Sequence, residues 1–173
     1  KGGKILMARN CHKSVYHAVF LNELRPVYIY PEFDETMELN MAVSPEKIER
    51  LLEEHKEVQA VVLTSPTYDG VLSDIERISE IVHQKKIPLI VDEAHGAHFG
   101  FHPYFPENAN TKGADVVIHS LHKTLPALTQ TALIHLNIFE PFEWDTDRSK
   151  EDSELSAYFS DKQSFLCVDG KYG

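Results

Sequence analysis

Residues 115–124 have the sequence DVVIHSLHKT, and this stretch decides the predicted fold and site. It begins with the β-branched run Val116-Val117-Ile118, which has the composition of a buried strand. It ends in a cluster of hydroxyl and imidazole groups around Lys123. A lysine amine becomes a nucleophile that forms a Schiff base with a carbonyl when desolvation or positive charge lowers its pKa. The stretch therefore predicts a strand that delivers a reactive lysine, although most loop lysines simply extend into water.

The rest of the chain alternates between apolar runs and amphipathic segments. The runs typical of buried strands are residues 4–8, 26–30, 60–63, 88–91 and 131–136. Helices are predicted from about Ser14, from Pro45 with Ser44 as its N-cap, and from near Ser73. Because the strands are continuously apolar and alternate with helices, we predict an α/β fold. It has three α/β/α layers and a mostly parallel sheet.

Three segments lack a clear period. Residues 32–43 are predicted to be a loop, and residues 98–113 a long irregular loop rich in aromatic residues and proline. After residue 136 the composition shifts to Glu, Asp, Lys and Ser, which leaves a helix at residues 152–159 open. We therefore divide the chain into residues 1–136 and a tail, residues 137–173.

Composition limits the function. A formal net charge of −10 argues against nucleic acid or an anionic membrane surface as the main partner. Cys11 and Cys167 form no CxxC or ligand spacing and are interpreted as free thiols in a reducing cytoplasm. We expect no signal peptide, and no apolar run in the sequence is long enough to span a membrane. Since the chain begins without methionine, we expect it to be a piece of a longer protein.

Polar clusters follow four of the predicted strands, after Ala8, Leu63, Val91 and Ile118. In a parallel sheet, ligands bind at the carboxyl ends of the strands. Asp92 ends a buried strand, where an ionised carboxylate needs a cationic partner such as a protonated pyridine nitrogen. With the Lys123 amine placed at an aldehyde, this arrangement meets the needs of pyridoxal phosphate. The alternative is that Asp92 only caps a helix or turn.

Neighbouring residues fit a planar ligand. Ala94 and Gly96 are small and leave room for a ring, and His12 offers a flat face that can stack on one.

Four stretches together resemble the Orn/Lys/Arg decarboxylases. They are RNCHKS at residues 9–14, TSPTYDG at 64–70, DEAHGAHF at 92–99 and HSLHKT at 119–124. The resemblance runs from about Lys4 to Leu136 in the order of the family, and residues 137–173 form a tail without this resemblance. These enzymes use pyridoxal phosphate and have an aspartate aminotransferase-like (fold type I) large domain. The resemblance implies decarboxylation of lysine, ornithine or arginine by a cytoplasmic homodimer or higher homo-oligomer, with polyamine biosynthesis as the setting.

The resemblance also implies roles for the matching residues. Lys123 forms the Schiff base with the cofactor, and Asp92 pairs with the pyridine nitrogen. After decarboxylation, Lys123 or His95 donates a proton to the substrate carbon, and the choice between them stays open. Four further residues are implied to contact the cofactor: His12 stacks on the ring, Ala94 lies beside it, and Ser120 and His122 contact the phosphate.

The family's phosphate-binding loop lies upstream of RNCHKS, and its small domain lies downstream. We therefore expect this chain to be the central part of the large domain, with weak cofactor binding and little turnover by itself. The alternatives are an inactive remnant of such an enzyme, or another fold type I enzyme such as an aminotransferase or aldolase.

Two other classes of site deserve weighing. Residues 92–95 match the DEAH form of a helicase Walker B strand, but no GxxxxGK[ST] motif precedes them in this chain. His95, His98 and His102 would share one face of a helix and could bind metal. Gly96, Gly100 and Pro103 argue against a helix there, so we expect no metal site.

Overall fold

The computed structural model describes residues 2–137 and, for the backbone alone, residues 164–168. Its elements, in chain order, are β1 (Lys4–Ala8), α1 (Lys13–Leu21), β2 (Arg25–Ile29), β3 (Phe33–Asp34), β4 (Leu39–Asn40), α2 (Pro45–Glu54), β5 (Val58–Thr64), α3 (Ile75–Gln84), β6 (Leu89–Asp92), β7 (Val116–Ser120), α4 (Leu121–Thr124), β8 (Ala132–Leu136) and β9 (Ser164–Val168).

Seven of these strands form one sheet in the order β2-β1-β5-β6-β7-β8-β9. The five strands from β2 to β7 pair in parallel, whereas β8 and β9 add antiparallel pairs at one edge. The predicted mostly parallel sheet is confirmed. The predicted domain boundary after residue 136 stays a prediction, and β9 lies beyond it.

Helices α2 and α3 begin where capping chemistry places them. The Ser44 hydroxyl accepts a hydrogen bond from the Lys47 amide at 3.3 Å, and Pro45 occupies the first turn, as predicted. Asp74 caps α3 by accepting from the Arg77 amide at 3.2 Å. Each cap satisfies a backbone donor that has no partner inside its helix.

The prediction of a plain loop over residues 32–43 is wrong, because β3 and β4 pair there as an antiparallel hairpin. Asp34 Oδ1 accepts hydrogen bonds from the amides of Thr36 at 2.8 Å and Met37 at 2.9 Å, which close the turn. Two-residue strands are too short to show the alternation that identifies a strand in sequence. The helix considered at residues 152–159 lies outside the described residues.

The strand order contains a reversal of direction between β1 and β5. From β1 the chain moves outward to β2, and it then returns to the other side of β1 to form β5, β6 and β7. Since parallel crossovers are right-handed, this reversal puts α1 on one face of the sheet and α2 and α3 on the other. The crevice at such a switch point is where open α/β sheets bind ligands.

The core is densest around the switch point. Leu6, Met7, Val61 and Leu63 on β1 and β5 are fully buried. In β7, by contrast, buried residues alternate with partly buried ones. No helix in the described part of the chain is long and apolar enough to cross a membrane.

Asp115 fastens the amino-terminal ends of β6 and β7 to α3. Its Oδ2 accepts a hydrogen bond from the Leu89 amide at 2.7 Å and one from His83 Nε2 at 2.8 Å. Asp115, the first residue of the DVVIHSLHKT stretch, is therefore a structural anchor at the end of the sheet opposite the polar clusters.

Candidate active site

The predicted site residues gather at the carboxyl edge of the sheet. Thr64 at the end of β5 is the register partner of Asp92 at the end of β6. Asp92 is in turn the partner of Ile118, two residues before the end of β7. Sheet register thus brings the TSPTYDG, DEAHGAHF and HSLHKT stretches together.

Lys123 and His95 are in direct contact. The Lys123 ammonium donates a hydrogen bond to His95 Nε2 at 3.2 Å. Partial burial is the main cause that lowers the pKa of His95, and the positive charge of Lys123 is the next. A neutral imidazole at this position can accept the hydrogen bond, which assigns the ring proton to Nδ1. Lys123 itself is exposed.

His95 also feels the charges of Asp92, which raises its pKa, and of His12, which lowers it. The edge of the Tyr68 ring faces His95, with 5.5 Å between the ring centroids. His95 is therefore the centre of the site, within electrostatic range of the lysine, the aspartate and the second histidine.

Asp92 is partly buried rather than fully buried. Its Oδ1 accepts a hydrogen bond from the Ala94 amide at 3.1 Å. The alternative in which Asp92 closes a turn is thus realised by one carboxylate oxygen. A carboxylate has two oxygens with several acceptor positions, so this bond leaves capacity for a cationic partner.

The switch point contributes polar groups that the sequence analysis did not single out. Among the described residues, Asn10 Oδ1 is buried with no hydrogen-bond partner, and Thr64 Oγ1 is buried within hydrogen-bonding reach of the Cys11 thiol. Cys11 is buried beside them, and burial is the main cause that raises the pKa of its thiol to about 11, with a contribution from Asp92. Their position directly after β1 and at the end of β5 was the available signal. Buried polar atoms without partners are rare in folded proteins and point to a ligand or water.

His12 is the N-cap residue of α1. Its Nδ1 accepts a hydrogen bond from the Ser14 amide at 3.3 Å and lies 2.9 Å from the Ser14 hydroxyl. This contact fixes the ring at the start of the helix. Stacking of His12 on a cofactor ring stays a prediction.

Ser120 and His122 flank the start of α4. Ser120 occupies the N-cap position, yet its hydroxyl makes no capping hydrogen bond. His122 Nδ1 donates to the Thr131 carbonyl at 3.1 Å, so Nε2 is the ring atom that remains for a ligand. Contacts of these two residues with a phosphate stay predictions.

The interpretation of Gly96 as room for a cofactor ring is wrong. A Cβ atom at Gly96 would lie 2.7 Å from Cγ of Glu93 and 2.9 Å from the Phe99 ring. The missing side chain makes space for these two residues of the protein itself. Ala94 is buried next to Asp92, and its contact with a cofactor ring stays a prediction.

No group of three or more metal-ligating side chains occurs among the described residues. His95, His98 and His102 lie in turns and bends and share no helix face.

The contact between Lys123 and His95 predicts a measurable titration. Replacing Lys123 by alanine removes a positive charge that opposes protonation of His95, so the pKa of His95 should rise towards its ordinary value. Histidine chemical shifts followed by NMR against pH measure this change. Lys85→Ala, at the opposite end of the sheet, is the control and should leave His95 unchanged. A His95 titration that is the same in wild type and Lys123→Ala would contradict the contact.

The sequence of this chain is similar to one protein family and to several of its members. The Orn/Lys/Arg decarboxylase major domain matches residues 1–160. Arginine decarboxylase of Bacillus subtilis is 36% identical over 167 residues, covering 96% of this chain and 33% of that protein. The B. subtilis protein YaaO, whose name records no function, is 46% identical over 136 residues, covering 79% of this chain and 28% of that protein. Lysine decarboxylase of Hafnia alvei is 32% identical over 149 residues, covering 78% and 20%. The chain thus spans a third or less of the length of these relatives.

Two solved structures show the same fold at low sequence identity. SepCysS, in its complex with the SepCysE N-terminal domain, aligns with a TM-score of 0.66 at 19% identity, covering 88% of this chain and 37% of that one. Mouse CSAD in its apo form aligns with a TM-score of 0.61 at 21% identity, covering 82% and 31%. These likenesses confirm the predicted fold.

Proposed function

Since the chain belongs to the Orn/Lys/Arg decarboxylase family, as its four motifs predicted, we propose that it provides the central part of the site of a basic amino acid decarboxylase. Membership in this family implies pyridoxal phosphate as the cofactor. The observation that carries the proposal is the cluster at the carboxyl ends of β6 and β7, where Lys123 contacts His95 at 3.2 Å and Asp92 lies within electrostatic range of the same imidazole.

The residues present fit this cofactor. Asp92 offers an anion to the ring nitrogen, and Lys123 is an exposed amine for covalent attachment. The buried atom Asn10 Oδ1 has no hydrogen-bond partner among the described residues, as expected where a polar ligand completes the site. When bound, pyridoxal phosphate supplies an electron sink for the charge left on the substrate carbon.

Asp92, His95 and Lys123 have separate roles in the proposed reaction. Asp92 orients the ring and holds the proton on its nitrogen by charge. His95, whose pKa is lowered by burial and by the charge of Lys123, accepts a hydrogen bond from the Lys123 ammonium and so orients the amine. Lys123 or His95 then returns a proton to the substrate carbon. The roles of His12, Ser120 and His122 are those that the resemblance implies.

The test is single-turnover release of labelled carbon dioxide from arginine, lysine and ornithine by concentrated purified protein with excess pyridoxal phosphate, because weak cofactor binding and little turnover are expected of this chain by itself. Since relatives of the chain include both arginine and lysine decarboxylases, we expect one of the basic amino acids to be preferred. His95→Gln should slow release by roughly 10²–10⁴-fold, the usual contribution of a positioned acid–base group. Release from acidic or neutral amino acids instead of basic ones, or transamination without carbon dioxide, would contradict the proposal.

Assembly and location belong to the same proposal. We propose a homodimer or higher homo-oligomer in the cytoplasm, on the basis of the family resemblance and of the free thiol at Cys11.

A further inference from the structure

Three ionisable side chains that the proposed mechanism does not use, two of them buried and the third partly buried, are linked by short contacts next to the site. Glu93 and His119 are only 2% and 5% exposed. Glu93 Oε2 lies 2.6 Å from His119 Nε2, and His119 Nδ1 lies 3.0 Å from His135 Nε2. The chain crosses from the end of β6 through β7 to β8.

Donor and acceptor roles follow from the chemistry of these groups. Both carboxylate oxygens of Glu93 accept from the Ala109 amide, at 3.0 and 3.2 Å, so His119 Nε2 donates the 2.6 Å bond to the carboxylate. Burial, followed by the charge of His119, lowers the pKa of His135, which favours its neutral form. A buried carboxylate with these donors is compensated, whereas loss of one partner would leave it unpaired.

Glu93 and His119 each lie one residue beyond the last register partners of β6 and β7. The register between β6 and β7 ends at Asp92 and Ile118. Beyond this point the Glu93 amide still donates a hydrogen bond to the Ile118 carbonyl at 2.9 Å. The contact between the Glu93 and His119 side chains then links the two strands one residue further along. Glu93 directly follows Asp92, and His119 directly precedes Ser120, the N-cap of the helix that carries Lys123.

We infer that the Glu93–His119 pair is a positioning clamp that fixes the distance between Asp92 and Lys123, and so between the two groups that hold the ends of the cofactor. The inference rests on the proposed function. The Glu93 carboxylate also accepts a hydrogen bond from the Ala109 amide, which holds the loop of residues 98–113 next to the end of β6. Gly96 supports the clamp, because the absence of a side chain at Gly96 leaves the space that Glu93 occupies.

The test compares Glu93→Gln with Asp115→Asn. Each change neutralises a carboxylate that is hydrogen-bonded to a backbone amide and a histidine, but Asp115 lies at the opposite end of β6 and β7. Three quantities are measured in both variants: the melting temperature, the affinity for pyridoxal phosphate by its absorbance band, and the rate at which borohydride fixes the cofactor to Lys123. Hydrogen exchange of the Ala109 amide in cofactor-free protein reports the clamp directly.

We expect Glu93→Gln to lower cofactor affinity by about tenfold or more, the scale of a lost charge-assisted hydrogen bond. It should also slow trapping and speed exchange at Ala109. Asp115→Asn should lower the melting temperature while changing affinity and trapping by less than about twofold. Equal cofactor effects in the two variants, or none in Glu93→Gln, would overturn the clamp alone. Failure of the wild type to bind pyridoxal phosphate would overturn the proposed function and the clamp together.

A second pair of variants covers the case in which Glu93→Gln does not fold. The amide of His119→Gln can still donate to Glu93, whereas His119→Leu cannot. We expect His119→Gln to keep cofactor affinity and trapping rate within about threefold of the wild type and His119→Leu to lose about tenfold. Equal losses in the two variants would overturn the inference.

Discussion

Lys123→Ala is expected to abolish the covalent link to pyridoxal phosphate and to reduce carbon dioxide release by at least the roughly 10²–10⁴-fold that a positioned acid–base group contributes. The reason is that the variant removes the amine that α4 carries directly after β7 and also the hydrogen-bond donor that contacts His95. Absorbance of the bound cofactor and release of labelled carbon dioxide measure the two losses.

Lys112→Ala serves as the control for Lys123→Ala, because it removes a lysine from the loop before β7 without touching the site. We expect it to retain the absorbance band and the rate. An absorbance band that persists in Lys123→Ala, or an equal loss in Lys112→Ala, would contradict the assignment of Lys123.

Asp92→Asn should leave the covalent link able to form while weakening cofactor affinity by about 1.5–3 kcal/mol, which corresponds to roughly 10- to 160-fold. Asparagine keeps the shape and can still accept from the Ala94 amide, but it lacks the charge that pairs with a protonated ring nitrogen. Turnover should fall further than affinity, since an unprotonated ring accepts negative charge poorly. Titration with pyridoxal phosphate and single-turnover rates separate the two effects.

Asp74→Asn is the matched control, because Asp74 caps α3 outside the site. Equal cofactor affinity in wild type and Asp92→Asn would count against Asp92 as the partner of the ring nitrogen. A parallel titration with ATP and magnesium addresses the helicase interpretation of residues 92–95, which the family match rejects. Nucleotide binding that depends on Asp92 would reverse that conclusion.

Much of the fold was predictable because its signals are local. The Ser44-Pro45 cap and the apolar run of β1 each lie within a few residues, and both form as predicted. The antiparallel direction of β8 and β9 is not local, since it depends on how the chain returns to the sheet edge after β7. The hairpin of β3 and β4 was missed because each strand has only two residues.

The site was predictable in its strand ends but not in its side-chain contacts. Asp92 and Lys123 stand out because a carboxylate and an amine follow apolar runs. The pairing of Glu93 with His119 depends on the register of β6 against β7, which residue spacing does not contain. For the same reason, Gly96 was interpreted as ligand space although Glu93 and Phe99 fill it.

The central claim is that Lys123 holds pyridoxal phosphate at the carboxyl edge of this sheet. The most direct measurement is borohydride reduction of the protein incubated with pyridoxal phosphate, followed by peptide mass spectrometry. The account predicts one cofactor-derived mass increment per chain, on the peptide that contains Lys123. An increment on another lysine, or one spread over several exposed lysines with Lys123 unmodified, would contradict it.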